Sequence, residues 1–399
     1  MYSGTSNSRT LPVLAGEAAR GLTSTIRDSH EAISRRAFRT VGPAAIPVQL
    51  VHDGIAGTVY GLVGSLSRAT LRGGARVLGA AERPDARSLQ ERSGGRRALG
   101  ALNGAFGDTL HRLNSPLELS MTVRHRGRDV AADRDSLAQA FSGASGRVAV
   151  FVHGLGQTED AWEPAGSARV PYPARLRSEL GYTPVLVRYN TGRSIDENGR
   201  ELAHLLERIV AAWPTPVHEL ALIGHATGAL VCRSACYAGF EQPWAIRVRH
   251  VVTLGAPHRG SVLQKALQTA TRALTALPET RAAGRTLELR SAGLKDAGRG
   301  SQTPFLPHVR HLFVSASITC DPDSRVSRAF GDLLVSRNSA WAHPGDRRPM
   351  RFPVENYRHV GGINHFDLLD HPVVLGQLVD WLRRPELPPG PTPAAAQRP

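Results

Sequence analysis

Three cysteines in 399 residues, Cys232, Cys236 and Cys320, cannot make an even-numbered disulfide framework. Cys232 and Cys236 lie four apart on one face of an expected helix and read as small buried hydrophobes in a reducing compartment. Lysine is scarce too: only two of the 49 basic residues are lysines, Lys265 and Lys295. An arginine skew with abundant alanine and glycine is what a GC-rich genome produces, so the formal charge of +15 does not by itself call for an anionic partner. Aromatic residues make up 6 %, with no nucleic-acid motif and no run of stacking aromatics, so no nucleic-acid partner is expected. No apolar stretch reaches the ~20 residues of a membrane-spanning helix, and the most membrane-like, Gly54–Ser67, is too short. The first residues lack the basic start and apolar core of a signal peptide, so a cytoplasmic setting is expected.

What is present is an ordinary globular composition, 41 % hydrophobic and 21 % charged, long enough for one large decorated domain or two. Residues 1–112 form a basic, partly helical extension carrying 15 arginines against 8 acidic residues. Within it Val48, Val51, Ile55, Val59, Leu62 and Leu66 recur at helical spacing. That stripe could dock on the main domain or make peripheral contact with a membrane; docking is the expectation. Residues 83–98, with Arg83-Pro84 and Gly94-Gly95-Arg96-Arg97, read as a solvated loop.

From residue 117 to 383 the pattern becomes that of an α/β domain. Leu117–Val130 resembles a hairpin, and short apolar runs at Arg147–His153, Thr183–Tyr189, Leu220–Ile223, Val248–Leu254 and His311–Ala316 suit doubly buried strands. Helical patterns at Gly199–Trp213 and Gly228–Tyr237 separate them, which predicts a mostly parallel sheet with helices on both faces. Residues 261–307 read as a helical cap or lid insertion, the last strand is expected near Pro353–His359, and Pro372–Leu382 as a closing helix. The Pro- and Ala-rich tail 385–399 is expected to be disordered.

The most telling segment is Glu219–Leu230: an apolar run, the turn Gly224-His225-Ala226-Thr227-Gly228, then a helical stretch. It has the form of a Gly-x-Ser-x-Gly nucleophile elbow, with small residues where side chains would collide. The tip is Ala226, which has no hydroxyl to attack a carbonyl. Thr227 sits one residue past the tip, where its side chain should point away. Earlier lies a strand followed by His153-Gly154-Leu155-Gly156, a small-residue turn suited to presenting backbone N–H groups. Later come Leu254-Gly255-Ala256-Pro257-His258-Arg259-Gly260, then Asp332 in Phe330-Gly331-Asp332-Leu333-Leu334-Val335, then His365 in Gly361-Gly362-Ile363-Asn364-His365-Phe366-Asp367-Leu368-Leu369.

Together these linked motifs resemble the lipase/esterase-like α/β-hydrolases, nearest in flavour to lipases of the GPI inositol-deacylase-like branch. The resemblance spans about residues 117–383; Leu333 departs from it, standing where that branch commonly has a second glycine. It implies an α/β-hydrolase fold and a Ser-His-Asp mechanism of ester hydrolysis, with Ala226 at the nucleophile position, Asp332 as acid and His365 as base. It also implies an oxyanion hole made by the N–H groups of Leu155 and Thr227. Asp321 and Asp323 are rival acids that look like turn residues, and His359 and His371 are rival bases. His365 and Asp367 could pair on a metal, but no paired-histidine spacing supports it, so neither metal nor cofactor is expected. The expected partner is an acyl ester or lipid. Without a serine the expectation is an impaired or inactive hydrolase; the alternative is a non-catalytic scaffold binding acyl ligands, a membrane surface or protein.

Overall fold

The computed structural model describes residues 93–384 apart from 113, 116, 165–167, 262–290, 302, 322, 326, 328–330 and 342–351. The expected helix at Val48–Leu66, the larger part of the expected cap and the tail 385–399 lie outside the described residues. The chain divides into two compact units, one of residues 1–102 and 268–289, the other of 103–267 and 290–399. Of the first only 93–102 are described, and they are helical.

The elements in chain order are α1 (Ser93–Arg112), β1 (Thr122–His125), β2 (Arg128–Val130), α2 (Arg134–Ala140), β3 (Arg147–Val152), α3 (Tyr172–Leu180), β4 (Thr183–Arg188) and α4 (Ile195–Ala212). There follow β5 (Glu219–His225), α5 (Thr227–Ala238), β6 (Val248–Leu254), α6 (Ala292–Arg299), β7 (Arg310–Ser317), α7 (Arg337–Ala340), β8 (Tyr357–Gly361) and α8 (Pro372–Arg383). The eight strands form one sheet in the order β2-β1-β4-β3-β5-β6-β7-β8. β3 to β8 run parallel, and β1 joins antiparallel to β4 and to its hairpin partner β2. The mostly parallel α/β sheet foreseen from the alternating runs is therefore present.

Why the strands read as continuous apolar runs is visible in the packing. Val148, Val150 and Val152 of β3 and Leu220 and Leu222 of β5 join one core cluster, with Leu202, Leu206 and Ile209 of α4 and Leu230 of α5. The alternate residues Ala149, Phe151, Ala221 and Ile223 join the other, with Leu176 of α3 and Leu378 and Trp381 of α8. Successive side chains point to opposite faces, and both faces are covered, so both must be apolar.

Three boundaries differ from expectation for local reasons. α4 begins at Ile195 rather than Gly199 because Ser194 and Glu197 form a capping box: the Glu197 N–H donates to Ser194 Oγ, and the Ser194 N–H to Glu197 Oε2, at 3.2 and 3.1 Å. The last strand, β8, lies at Tyr357–Gly361, since Val354–Asn356 after Pro353 take a short 3₁₀ turn instead. Residues 93–98 are helical, not loop. Each of Gly94 and Gly95 costs a helix ~1 kcal/mol relative to alanine, but they sit in its first turn, ahead of buried Leu99, Gly100, Asn103, Gly104 and Gly107 at helical spacing.

From Asn103 onward α1 belongs to the same unit as the sheet. Asn103 holds the chain after the helix, donating from Nδ2 to the Leu117 carbonyl and accepting the Leu119 N–H, both at 2.9 Å. Among the described residues no helix is long and apolar enough to cross a membrane.

Candidate active site

The sheet topology marks one place. From β3 the chain leaves toward β4 on one side, and from β4 it returns to β5 on the other, so the carboxyl ends of neighbouring β3 and β5 face a crevice. Open α/β sheets bind ligands at such a switch point. Leu155 follows β3 and Ala226 follows β5 at this end, and the loops after β7 and β8 supply Asp332 and His365.

Ala226 sits at the tip of the turn with φ 49° and ψ −121°, a left-handed conformation that non-glycine residues rarely adopt. Strain of this kind costs about 1–3 kcal/mol and persists only where the surroundings impose it. They do so here. The Ala226 N–H donates to the Leu254 carbonyl of β6 at 2.8 Å. A Cβ at Gly228 would lie 2.3 Å from the His153 carbonyl oxygen, and one at Gly224 would lie 2.3 Å from Ala229 Cα. Strand and helix thus meet too closely for any other residue at the two flanks. A strained strand–turn–helix at the central parallel strand has the geometry of a nucleophile elbow.

This is an α/β-hydrolase fold.

Within that fold Asp332 and His365 lie together. His365 Nδ1 donates to Asp332 Oδ2 at 2.7 Å, with both side chains almost wholly buried. Asp332 Oδ1 accepts the Leu334 and Val335 N–H groups at 3.0 and 2.8 Å, and the His365 N–H donates to the Asp332 carbonyl at 3.1 Å. A carboxylate with one oxygen occupied by two backbone donors offers the other to the imidazole. Assigned from that network, the proton is on Nδ1 and the Nε2 lone pair is free. Nε2 has no hydrogen-bond partner among the described residues. The imidazole packs over Gly255, whose φ is 60° and where a Cβ would come within 3.0 Å of His365 Cε1. Only glycine serves there, immediately after the strand residue that holds Ala226.

The rival residues are elsewhere. Asp321 Oδ1 accepts the N–H of Asp323 in a turn, and exposed Asp323 pairs with Arg337 at 2.8 Å. His359 has Ser315 Oγ and Ser317 Oγ at its two nitrogens, each at 2.9 Å. The backbone N–H of His371 donates to the Tyr172 hydroxyl. Asp367 Oδ2 accepts the Asn364 N–H at 2.8 Å, closing the turn around His365. Among the described residues no three His, Cys, Asp or Glu side chains are grouped to hold a metal ion.

The turn after β3 is held from two sides. The Gly154 N–H donates to Gln157 Oε1 at 2.8 Å, and the Gly156 N–H to Thr191 Oγ1 at 3.0 Å. Between them the Leu155 N–H, like that of Thr227 at the start of α5, has no partner among the described residues. The His153 side chain is wholly buried, stacked on Tyr189 at 4.6 Å, and burial pushes its pKa down to about 4.

Two residues with no role assigned from the sequence tie these parts together. His225 Nδ1 lies 3.1 Å from Gln157 Oε1, and its Nε2 lies 3.2 Å from the His365 carbonyl oxygen. Its ring packs 4.7 Å from the His365 ring. Burial, and then the neighbouring His365, hold its pKa well below the usual value, so the ring is neutral and donates to only one of these oxygens at a time. Gln157 and His225 thereby connect the turn after β3 to the backbone of His365. His225 was in view as part of the elbow; Gln157 carried no signal, since its partner is 68 residues away.

Leu333, next to Asp332, has φ 86° and is half-exposed. The left-handed region favours glycine, the residue the resemblance leads one to expect there. Leu333→Gly should therefore leave stability unchanged or raise it by up to ~1 kcal/mol, relief of strain outweighing the entropy lost in folding a glycine. Urea unfolding reads this directly; a loss above ~1 kcal/mol would show that Leu333 packing outweighs the strain.

Four wholly buried imidazoles, His153, His225, His258 and His311, have pKa values lowered chiefly by burial, His153 to about 4 and His311 to about 3. Below the ordinary value of 6.5 the unfolded chain takes up protons that the folded chain refuses. Their contribution is therefore complete above pH ~6.5 and is lost as pH falls toward the folded-state values, His153 alone costing on the order of 3 kcal/mol by pH ~4. The melting temperature should fall steeply across that window. A flat profile there would mean the imidazoles are hydrated in the folded protein.

No family model and no curated protein matches this chain. Solved structures do. Lipase BlEst2 of Bacillus licheniformis in its propeptide form aligns at 17 % identity and TM-score 0.44, over 63 % of this chain and 53 % of that one. This chain thus spans about half the length of that protein. Phospholipase PlaB of Legionella pneumophila aligns at 15 % identity and TM-score 0.40 over 60 % of each chain. Staphylococcus hyicus lipase aligns at 16 % identity and TM-score 0.38, over 59 % of this chain and 93 % of that one.

Proposed function

We propose that this chain is a lipase/esterase-type hydrolase, nearest the GPI inositol-deacylase-like branch, that binds acyl esters or lipids but cleaves them poorly because its nucleophile position is Ala226. The observation that carries the reading is the buried Asp332–His365 pair, with His365 Nε2 unpartnered among the described residues, beside an elbow that keeps the strained conformation of a nucleophile turn. With a serine at the tip, His365 would take its proton, Asp332 would orient the imidazole, and the Leu155 and Thr227 N–H groups would hold the tetrahedral oxyanion. Phe366, beside His365 and mostly exposed, offers apolar surface for an acyl chain. The alternative, a scaffold that only binds, is favoured by Ala226 itself.

A fluorophosphonate, which phosphonylates activated serines, separates the two. Ala226→Ser should be labelled, the unaltered chain should not, and His365→Ala in the A226S background should abolish labelling. An unlabelled but folded A226S protein would leave the scaffold reading; labelling of the unaltered chain would reveal another nucleophile.

A further inference from the structure

Resting on the reading just given, we propose that the unaltered chain hydrolyses activated acyl compounds, aryl esters and thioesters, by direct attack of water. His365 is the general base, and no acyl-enzyme forms.

The argument begins with the imidazole. Asp332 Oδ1 is occupied by the Leu334 and Val335 N–H groups, so Oδ2 faces Nδ1 and sets the tautomer that leaves Nε2 as an acceptor. That base needs a proton donor, and the methyl of Ala226 supplies none. Serine and alanine differ by one oxygen atom, about the bulk of a single water, which binds where two or more polar partners converge. His365 Nε2 is one such partner, and a bound substrate is the other.

The geometry around this position does not collapse on losing the hydroxyl. The elbow is set by backbone contacts, the Ala226 N–H to the Leu254 carbonyl and the close approach of Gly224 and Gly228 to their neighbours, none of which involves the tip side chain. The turn bearing the Leu155 N–H is fixed by Gln157 and Thr191, likewise independent of the tip. The base and its orienting acid are therefore held without the hydroxyl, and the two backbone donors lie on turns whose contacts do not depend on it.

In the step, His365 Nε2 takes a proton from water as the water oxygen bonds to the carbonyl carbon. The C=O π electrons move to the carbonyl oxygen, which the Leu155 and Thr227 N–H groups stabilise. On collapse the C–O or C–S bond breaks, its electron pair leaves with the phenolate or thiolate, and the imidazolium returns its proton to the medium or the leaving group. The products are a carboxylic acid and a phenol or thiol, and His365 is regenerated. Water held only by hydrogen bonds is a weaker attacker than an oriented serine, so the leaving group must depart readily. This is why the substrates are aryl esters and thioesters rather than alkyl esters.

The test uses the full chain with p-nitrophenyl acetate and S-phenyl thioacetate. Expected are linear product release from the first turnover, no acetyl adduct in the mass of acid-quenched protein, and a rate at least ~10-fold above that of the folded variants H365A and H365Q, since a positioned general base typically contributes about 10²–10⁴. A226S should instead show a burst and an acetyl adduct. If the unaltered chain is no faster than both His365 variants while A226S forms the adduct, water attack is wrong and the hydrolase reading stands. An adduct on the unaltered chain overturns the single displacement. Failure of both A226S and the unaltered chain overturns the hydrolase reading with it.

Discussion

Ala226→Ser should raise the rate of p-nitrophenyl ester hydrolysis by at least ~10³-fold, because removing the nucleophile from an otherwise complete triad costs on the order of 10⁶ in turnover. The expectation rests on what the substitution need not change. The tip already holds φ 49° and ψ −121°, so a serine Cβ would occupy the place of the alanine Cβ without further strain. His365 already lies 2.7 Å from Asp332 through Nδ1, with Nε2 free to accept. KM should change little, since one hydroxyl adds little to ground-state binding, and the gain should be in kcat. A gain below tenfold would mean that the backbone donors or the acyl pocket no longer match a substrate, which favours the scaffold reading.

In the A226S background, Asp332→Asn should lower kcat by about 10⁴ with little effect on KM. Asparagine can still accept the Leu334 and Val335 N–H groups through its carbonyl oxygen, but it then turns an NH₂ donor toward His365 Nδ1. The imidazole must accept there, its proton moves to Nε2, and the base is in the wrong tautomer. Asp323→Asn removes only an exposed ion pair with Arg337 and should leave kcat within about twofold. If Asp323→Asn proved as damaging as Asp332→Asn, the acid assignment would be wrong. Near-UV circular dichroism of each variant separates a lost tautomer from a lost fold.

Much of the fold was legible because its signals are local. Doubly buried strands leave apolar runs such as Arg147–Val152 and Val248–Leu254, and a helix–strand alternation admits few arrangements besides a parallel sheet. The tight turn at Gly224–Gly228 was legible because its constraint comes from residues within a short reach of the turn and from the strand alongside. Asp332 and His365 stood out by their flanking residues, although nothing in either segment states that they touch. Ser194 and Glu197 did carry a readable capping box, which explains the earlier start of α4.

What the sequence by itself determined, then, is the α/β class, the turn with an alanine at its tip, and a short list of acids and bases. Choosing among them was a tertiary matter. Asp321, Asp323 and Asp332 all lie shortly after β7, and only the path of the chain brings Asp332 under His365 while Asp323 goes to Arg337. Gln157 and His225 place the turn after β3 and the end of β5 against the His365 backbone, through partners 68 and 140 residues apart in sequence. Leu333 shows the same limit at a single residue, since leucine has no propensity for φ 86° and the hydrogen bonds that bind Asp332 impose it. Local periodicity records which face of an element is buried. It does not record which loops share the end of a sheet, because that depends on the strand order, and the strand order is decided by packing both faces at once.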